Sequence, residues 1–312
     1  MKQAIITGFG KADKISFQEA KIPKPQQNEV LVKVVAVSVN PKDTFIRKGR
    51  YKIFTGTKFP MGIGFDYSGI VEESKNSKYK KGDQVFGMIN GWQGSTFAEF
   101  VVVKDDEIIF APKNLSLTDS ASIPLAAQTA LQALNELSQI NKGDKVCING
   151  ASGGVGIFAI QIAKAFGAEV TALSSPKNFD FCKSLGADFT IDYNNTDFFK
   201  TNHSFDILFD VFGNLSFKKV NHLLNKQSVF ISTVPSIKLL FAIFSSMFSS
   251  KKAKLVIVKS TNKKLSWLKQ NLENGKVKPI IDSTFSFDKV RNAQAKVETK
   301  RTKGKVVVII AE

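Results

Sequence analysis

The chain has 312 residues, of which 43% are hydrophobic, and this length and composition suit a globular protein of two domains with a large buried core. The formal net charge is +17 at pH 7, but the lysines are spread along the chain and no zinc-finger or RNA-binding signature occurs, which argues against specific nucleic-acid binding. The two cysteines exclude a disulfide framework and favour a reducing compartment.

Residues 1 to 122 consist mainly of short strand-like runs separated by Gly, Pro, Asn and Asp. The first six residues have the alternation of a strand rather than the long apolar core of a signal peptide, so we expect a cytoplasmic protein. Further strands are predicted at residues 29–37, 67–72, 83–88 and 98–103. The pattern indicates a mostly β module.

Residues 123 to 261 alternate between strands and helices, with strands predicted at 145–148, 169–173, 189–191, 206–211, 229–233 and 255–258. This alternation predicts an α/β domain built on a doubly wound parallel sheet of the Rossmann type. Residues 262–312 contain an amphipathic helix ending near Gly275, a helix at 287–299 and a strand at 305–310. These last elements are expected to return to the mostly β domain, which would then comprise 1–122 and 262–312.

A glycine-rich turn joins the first strand of the α/β domain to a helix that is apolar on every side. Its residues are Gly150, Ala151, Ser152, Gly153, Gly154, Val155 and Gly156. Glycines three residues apart allow a tight turn, a close approach of backbone to a pyrophosphate, and packing of the helix against the strand. The turn is interpreted as a phosphate cradle; the alternative is an ordinary tight strand-to-helix turn.

The next strand ends without the acidic residue that would accept the ribose 2′-hydroxyl of NAD(H). The sequence there is Leu173-Ser174-Ser175-Pro176-Lys177, in which Ser174 and Lys177 are suited to hold a 2′-phosphate. The missing acid and the available cation favour NADPH as cofactor. Lys177 as one solvated lysine among many is the competing interpretation.

Several ordered motifs spread over the whole chain resemble the zinc-independent quinone oxidoreductases of the medium-chain dehydrogenase/reductase superfamily. They lie at residues 38–43 (SVNPKD), 64–69 (GFDYSG), 82–87 (GDQVFG), 121–126 (ASIPLA), 150–156, 275–279 (GKVKP) and 304–307 (GKVV). The resemblance implies a GroES-like catalytic domain interrupted by the Rossmann domain, with the active site in the cleft between them. It also implies a homodimer.

The resemblance implies that Asn40 and Asp43 flank the nicotinamide and acceptor, with Tyr51 near the same cleft. The structural alternatives are an Asn-Pro turn, a helix cap for Asp43 and simple packing for Tyr51. The resemblance also implies cofactor contacts for residues at positions that match the family. For each of these residues the alternative is a role in a turn or a helix cap. They are Thr129, taken to begin a long helix, Tyr193, Gly213, Asn214 and Thr233.

Zinc-dependent relatives place a cysteine near Asn40 and a histidine near Phe65, and this sequence has neither. His203 and His222 have no partner at metal-ligand spacing, so no metal site is predicted. Without a metal, the protein is expected to transfer hydride from NADPH to acceptors that already delocalise charge, namely quinones or α,β-unsaturated carbonyls. The alternatives are an enoyl thioester reductase and a non-catalytic NADPH-binding module.

Residues 235–250 form an apolar, Phe-containing segment followed by Lys251 and Lys252. It is shorter than the roughly 20 apolar residues that a bilayer span requires. One interpretation is a flap over an apolar acceptor or a helix that makes weak contact with a membrane surface. The other is a helix buried against the sheet or against a second subunit.

Overall fold

The structure is a computed structural model that describes residues 1–200 and 203–311. Within these ranges the strands, in chain order, are β1 (Lys2–Ile6), β2 (Ile15–Glu19), β3 (Glu29–Val39), β4 (Met61–Gly62), β5 (Asp66–Ser74), β6 (Gln84–Met88), β7 (Phe100–Lys104), β8 (Ile108–Phe110), β9 (Lys145–Asn149), β10 (Glu169–Ser174), β11 (Phe189–Asp192), β12 (Phe205–Asp210), β13 (Leu224–Ser232), β14 (Lys252–Leu255), β15 (Ile281–Ser286) and β16 (Lys305–Ile309).

The α-helices of the same ranges are α1 (Pro41–Arg47), α2 (Lys52–Thr55), α3 (Leu117–Ala121), α4 (Pro124–Leu131), α5 (Gly156–Ala165), α6 (Phe179–Ser184), α7 (Phe217–Val220), α8 (Ile237–Ser246), α9 (Asn262–Glu273) and α10 (Val290–Glu298). A π-helix over Gln132–Leu137 continues directly from α4. No helix in the described ranges is long and apolar enough to cross a bilayer.

The chain divides into two compact units. The first contains residues 1–128, 259–275 and those from Pro279 onward, and the second contains Thr129–Val258 and Lys276–Lys278. The domain boundaries predicted from the sequence, at 122/123 and 261/262, stay predictions.

The first unit is mostly β-structure. Its larger sheet has the order β15-β16-β3-β5-β6-β8, with β7 also paired to β3, and its smaller sheet has the order β2-β1-β4. Strand β3 lies inside the larger sheet and most of its apolar side chains are fully buried, which explains its many valines. Strand β16 pairs antiparallel to β3, so the end of the chain completes this unit.

The second unit has six parallel strands in the order β11-β10-β9-β12-β13-β14. This order reverses between β9 and β12, which is the switch point where doubly wound folds bind their ligands. The predicted Rossmann architecture is therefore confirmed. Cys147 in β9 and Cys182 in α6 are fully buried, as expected for core residues.

Two local predictions are wrong. The strand expected at 255–258 lies at Lys252–Leu255, because β14 takes its register from β13, with Ser232 opposite Leu255. The apolar residues that suggested the later position include Ile257, whose side chain is exposed. Thr129 does not begin a helix either: α4 starts at Pro124, where the Asp66 carboxylate accepts the backbone N–H of Leu125 at 2.7 Å.

Candidate active site

The glycine-rich turn leads from the end of β9 to the start of α5. Gly150 has a φ of +82°, a left-handed conformation that glycine adopts without strain. The backbone N–H groups of Gly150 and Ala151 both donate to the carbonyl oxygen of Leu173, at 3.2 Å each. The turn is thereby fixed to the end of β10.

The rest of the turn offers donors to an anion. The backbone N–H groups of Ser152, Gly154 and Val155 make no hydrogen bond to another described residue. A Cβ atom at Gly153 would meet only the Gly150 carbonyl oxygen, at an ordinary 3.4 Å, so this side of the turn is open. A helix N-terminus with unpaired N–H groups attracts phosphate, and the turn therefore fits the pyrophosphate of a dinucleotide.

Gly156 has a different role from Gly153. A Cβ atom there would lie 2.3 Å from the Gly150 carbonyl oxygen and 2.5 Å from that of Ala151. No side chain fits at this distance, so Gly156 is required for α5 to begin beside the turn. The sequence spacing predicts this division of roles between the two glycines.

The loop after β12, on the other side of the switch point, is organised by Asp210. This buried carboxylate accepts the side-chain N–H of Asn149 at 2.7 Å and the backbone N–H groups of Gly213 and Leu215 at 2.9 and 3.0 Å. Asn149 also donates to the Oδ1 atom of Asn214 at 2.7 Å. Burial raises the pKa of Asp210, while these hydrogen bonds oppose the rise.

The remaining predicted cofactor residues of the second unit lie at or after the carboxyl ends of strands, with the exception of the buried Thr129. Ser174 is buried at the end of β10, and its hydroxyl donates to the Ser175 carbonyl oxygen at 3.3 Å. Lys177 is exposed in a 3₁₀ turn, and Tyr193 is half exposed just after β11. Thr233 follows β13 and donates to the Val211 carbonyl oxygen at 2.8 Å.

In the first unit, Asn40 lies in a buried polar network rather than at a free surface. Its side-chain N–H group donates to Asp66 Oδ2 at 2.9 Å, and its Oδ1 atom accepts the Lys305 ammonium. Asp66 also accepts the Ser38 hydroxyl at 2.6 Å, and Lys305 Nζ lies 3.7 Å from Asp66 Oδ2. These contacts occupy the Asn40 amide and favour a positioning role over proton donation.

Asp43 lies next to this network and caps α1, since its Oδ2 atom accepts the backbone N–H of Asn40 at 2.6 Å. Its Oδ1 atom is buried and has no partner among the described residues. Burial, assisted by the nearby Asp66 carboxylate, raises the pKa of Asp43 to about 7 against the effect of the Asn40 hydrogen bond.

Tyr51 belongs to an aromatic cluster of the first unit. Its ring centroid lies 5.2 Å from that of Trp92 and 6.1 Å from that of Phe45. The exposed Phe54 stacks on Trp92 with centroids 4.6 Å apart. Burial raises the pKa of Tyr51, so its phenol keeps a proton at neutral pH.

Lys42 places a positive charge beside the Trp92 ring of this cluster, with its ammonium 5.5 Å from the ring centroid. Its ammonium lies 3.5 Å from the ring centroid of Phe65 and donates to the Gly91 carbonyl oxygen at 2.8 Å. Burial lowers its pKa to about 8.

Sequence reasoning missed Asp66, Lys305, Asp210, Lys42 and Trp92. A polar residue that directly follows an apolar run, as Asp210 follows Ile207, Leu208 and Phe209 in β12, is a usable signal. The hydrogen bond between Asn40 and Lys305 has no such signal in the sequence, because 265 residues separate them.

His203 and His222 do not form a metal site with the side chains around them. His203 packs on Phe198, with ring centroids 4.4 Å apart, and His222 Nε2 lies 2.8 Å from the Phe199 carbonyl oxygen. No group of three or more His, Cys, Asp or Glu residues in the described ranges is placed to hold a metal ion.

Comparison with known proteins adds to this geometry. Residues 26–113 match the alcohol dehydrogenase GroES-like domain, and residues 185–308 match the zinc-binding dehydrogenase family. A 2-methylene-furan-3-one reductase of Solanum lycopersicum is 35% identical over 99% of this chain and 79% of its own length. This chain belongs to the quinone oxidoreductase group of the medium-chain dehydrogenase/reductase superfamily.

Other members of the superfamily agree in sequence and in shape. The chloroplastic quinone oxidoreductase QR1 of Triphysaria versicolor is 31% identical over 96% of this chain and 95% of its own length. The solved structure of the quinone oxidoreductase from Coxiella burnetii superposes with a TM-score of 0.90, at 30% identity and over 99% of both chains. The GroES-like and Rossmann folds predicted for this oxidoreductase are thereby confirmed.

Proposed function

We propose that this oxidoreductase is an NADPH-dependent, zinc-independent reductase that transfers hydride to quinones or α,β-unsaturated carbonyls. The observation that carries the proposal is the open glycine-rich turn at the switch point, with its unpaired N–H groups. The names of similar proteins, which include a furanone reductase and quinone oxidoreductases, support the acceptor class. When bound, NADPH supplies the hydride.

The residues that would hold the cofactor lie at the carboxyl ends of the parallel strands. The turn from Gly150 to Gly156 would bind the pyrophosphate, with Gly213, Asn214 and Thr233 along the neighbouring strand ends. For the 2′-phosphate, Lys177 is the better candidate, because its side chain is exposed whereas Ser174 is buried and hydrogen-bonded. Tyr193 would pack beside the adenosine.

The first unit offers suitable surroundings for a flat, electron-poor acceptor. Tyr51, Trp92 and Phe54 form an aromatic surface on which a planar ring can stack. The Tyr51 phenol and the Lys42 ammonium both carry protons at neutral pH, and either can stabilise negative charge that develops on an acceptor oxygen. Solvent is an equally good source of the proton that completes the reduction.

The decisive measurement is oxidation of NADPH and NADH with a benzoquinone, a naphthoquinone, a short enone, a long alkenal and an enoyl thioester. We expect turnover with NADPH and with quinones or enones. Faster turnover of the enoyl thioester would identify a thioester reductase instead. Binding of NADPH without turnover of any acceptor would identify a binding module.

Cofactor choice is tested by Lys177→Ala. Loss of a charge-assisted contact to the 2′-phosphate should raise the Michaelis constant for NADPH roughly tenfold and leave that for NADH unchanged. Lys183→Ala, which removes another exposed lysine in the following helix, is the matched control and should alter neither constant. Equal effects of both variants would contradict the assignment of Lys177.

We also propose a cytoplasmic location, a homodimer and weak contact with a membrane surface. Light scattering tests the dimer, which should have twice the 34.3 kDa mass of the chain. Cell fractionation tests the location.

A further inference from the structure

Helix α8 carries two apolar faces, of which the protein covers only one. Leu239 is buried, and Ala242 and Ile243 pack on the core cluster of the second unit. The opposite face is a stripe of six side chains, each between 58% and 87% exposed. We call it the α8 stripe, and it consists of Ile237, Leu240, Phe241, Phe244, Met247 and Phe248.

The α8 stripe is continuous along the helix. Ile237, Leu240, Phe241 and Phe244 stand at positions i, i+3, i+4 and i+7, which places them on one side of α8, and Met247 and Phe248 follow in the turn after its end. The rings of Phe244 and Phe248 touch edge to face, with centroids 6.4 Å apart. Contiguous exposed apolar surface of this kind marks an interaction site in soluble proteins.

The charge around the stripe restricts what it can contact. From Val211 to Val258 the sequence has seven lysines and neither aspartate nor glutamate. Lys238, in the first turn of α8, lines a cavity of about 270 Å³ together with Lys219. Beyond the other end of the helix, Lys252 donates to the carbonyl oxygens of Ser246 and Met247 at 3.2 and 3.1 Å.

We infer that the α8 stripe docks on the surface of an anionic lipid bilayer, with its phenylalanines among the acyl chains and its flanking lysines at the phosphate and carboxylate headgroups. An apolar helical face with basic flanks is the combination that binds such interfaces. A second copy of the chain fits less well, because contact about a two-fold axis would bring the basic surroundings of the stripe against themselves. This inference refines the weak membrane contact proposed above and does not depend on reductase activity.

The test is sedimentation with vesicles of phosphatidylcholine alone or of phosphatidylcholine mixed with phosphatidylserine. The wild-type protein should pellet with the mixed vesicles, less so with phosphatidylcholine alone, and progressively less as sodium chloride is added. Failure of the wild-type protein to pellet with mixed vesicles at low salt would overturn the inference.

The variant that removes the apolar contact is the triple change Phe241→Ser, Phe244→Ser and Phe248→Ser. Binding to mixed vesicles should fall roughly tenfold or more, because each phenylalanine loses a favourable transfer from water. Phe189→Ser is the matched control: it removes an exposed phenylalanine from β11, at the opposite edge of the sheet, and should bind like wild type. Lys219→Gln with Lys238→Gln should weaken binding by roughly fivefold per lysine.

Three results would assign the stripe to another occupant or exclude the bilayer. Unchanged vesicle binding by the triple variant would show that the stripe is not the contact. A fall in solution mass from dimer to monomer would assign the stripe to a second copy. Slower turnover of a soluble quinone without vesicles, at an unchanged melting temperature, would assign it to a flap over the acceptor.

Discussion

Asp43 is a fully enclosed carboxyl group with one oxygen hydrogen-bonded and the other unpaired. Its role as a helix cap does not require a charge, because a protonated or amidated side chain can still accept the Asn40 N–H. Burying an ionised carboxylate with an unpaired oxygen is unfavourable, which is why its pKa rises from 3.8 to about 7.

This shift predicts the pH dependence of the Asp43→Asn variant. Between pH 4 and 7 the unfolded wild-type chain releases the proton of Asp43 while the folded protein keeps it, so wild-type stability falls as pH rises. The variant has no titratable carboxyl group at this position and therefore does not lose this stability as pH rises. The free energy of unfolding of the variant, relative to that of wild type, should therefore increase from pH 4 to about 7 and then level off. The total increase should be a few kcal/mol at most, since one pKa unit corresponds to about 1.4 kcal/mol. Urea unfolding across this pH range measures the difference.

Asp188→Asn is a control with the opposite sign. Asp188 pairs with Lys164 at 2.8 Å, and although partial burial acts in the other direction, this contact and the Val170 N–H lower its pKa. The stability contributed by the ionised Asp188 is present at neutral pH and is lost as pH falls through its folded-state pKa. The free energy of unfolding of the variant should therefore fall relative to that of wild type as pH rises. Parallel pH profiles for the two variants would contradict the different environments described here.

At the same scale, the sequence places Asn40 and Asp43 near one another but does not reveal what surrounds them. A lysine at the start of a strand is usually a surface residue, whereas Lys305 is buried and bonded to Asn40. Only the antiparallel pairing of β16 with β3, in which Val306 faces Val39, brings the two residues together. Such long-range pairing cannot be inferred from local pattern.

Among the elements, the glycine-rich turn contains one glycine needed for packing within the protein and another positioned for contact with a ligand, so substitutions can test the two roles separately. Gly153→Ala adds a methyl group on the open side of the turn, where the nearest protein atom is 3.4 Å away. Gly156→Ala adds one only 2.3 Å from a carbonyl oxygen. The two changes are chemically identical and lie three residues apart.

Gly153→Ala should therefore keep the melting temperature and weaken NADPH binding roughly tenfold or more, because the methyl group would stand where backbone approaches the pyrophosphate. Gly156→Ala should lower the melting temperature by several degrees, corresponding to about 1 to 3 kcal/mol of overpacking. Calorimetry and fluorescence titration with NADPH give both quantities. Normal NADPH affinity in a stable Gly153→Ala protein would contradict the assigned phosphate site.

Elements with a strong local pattern were predictable from the sequence, and those fixed by their neighbours were not. The turn from Gly150 to Gly156 and the apolar helix α5 follow from glycine spacing and hydrophobicity. Strand β14 was misplaced because its register depends on β13. For α8, the sequence left open whether the helix is buried or exposed; the structure buries one face and exposes the other, an outcome that helical periodicity alone cannot decide when both faces are apolar.

For the molecule as a whole, two lysines stand in the region in which zinc-dependent relatives place metal ligands. Asn40 stands near the position of their cysteine and accepts the Lys305 ammonium. Phe65 stands near the position of their histidine, and the Lys42 ammonium lies 3.5 Å from its ring centroid. Neither Asn40 nor Phe65 provides a soft or anionic ligand, and the nearby Asp66 carboxylate is already held by Ser38, Asn40 and Lys305.

This arrangement predicts that reductase activity survives removal of metal. Protein dialysed against a chelator, and shown by elemental analysis to contain no zinc, should oxidise NADPH with a quinone at the rate of untreated protein. Added zinc should not raise this rate, because the acceptor and the protein's own cations can take up the charge that zinc stabilises elsewhere. A parallel sample of chelator-treated protein with zinc restored controls for damage during dialysis. Activity that disappears with the metal and returns only with zinc would contradict the proposed zinc-independent mechanism.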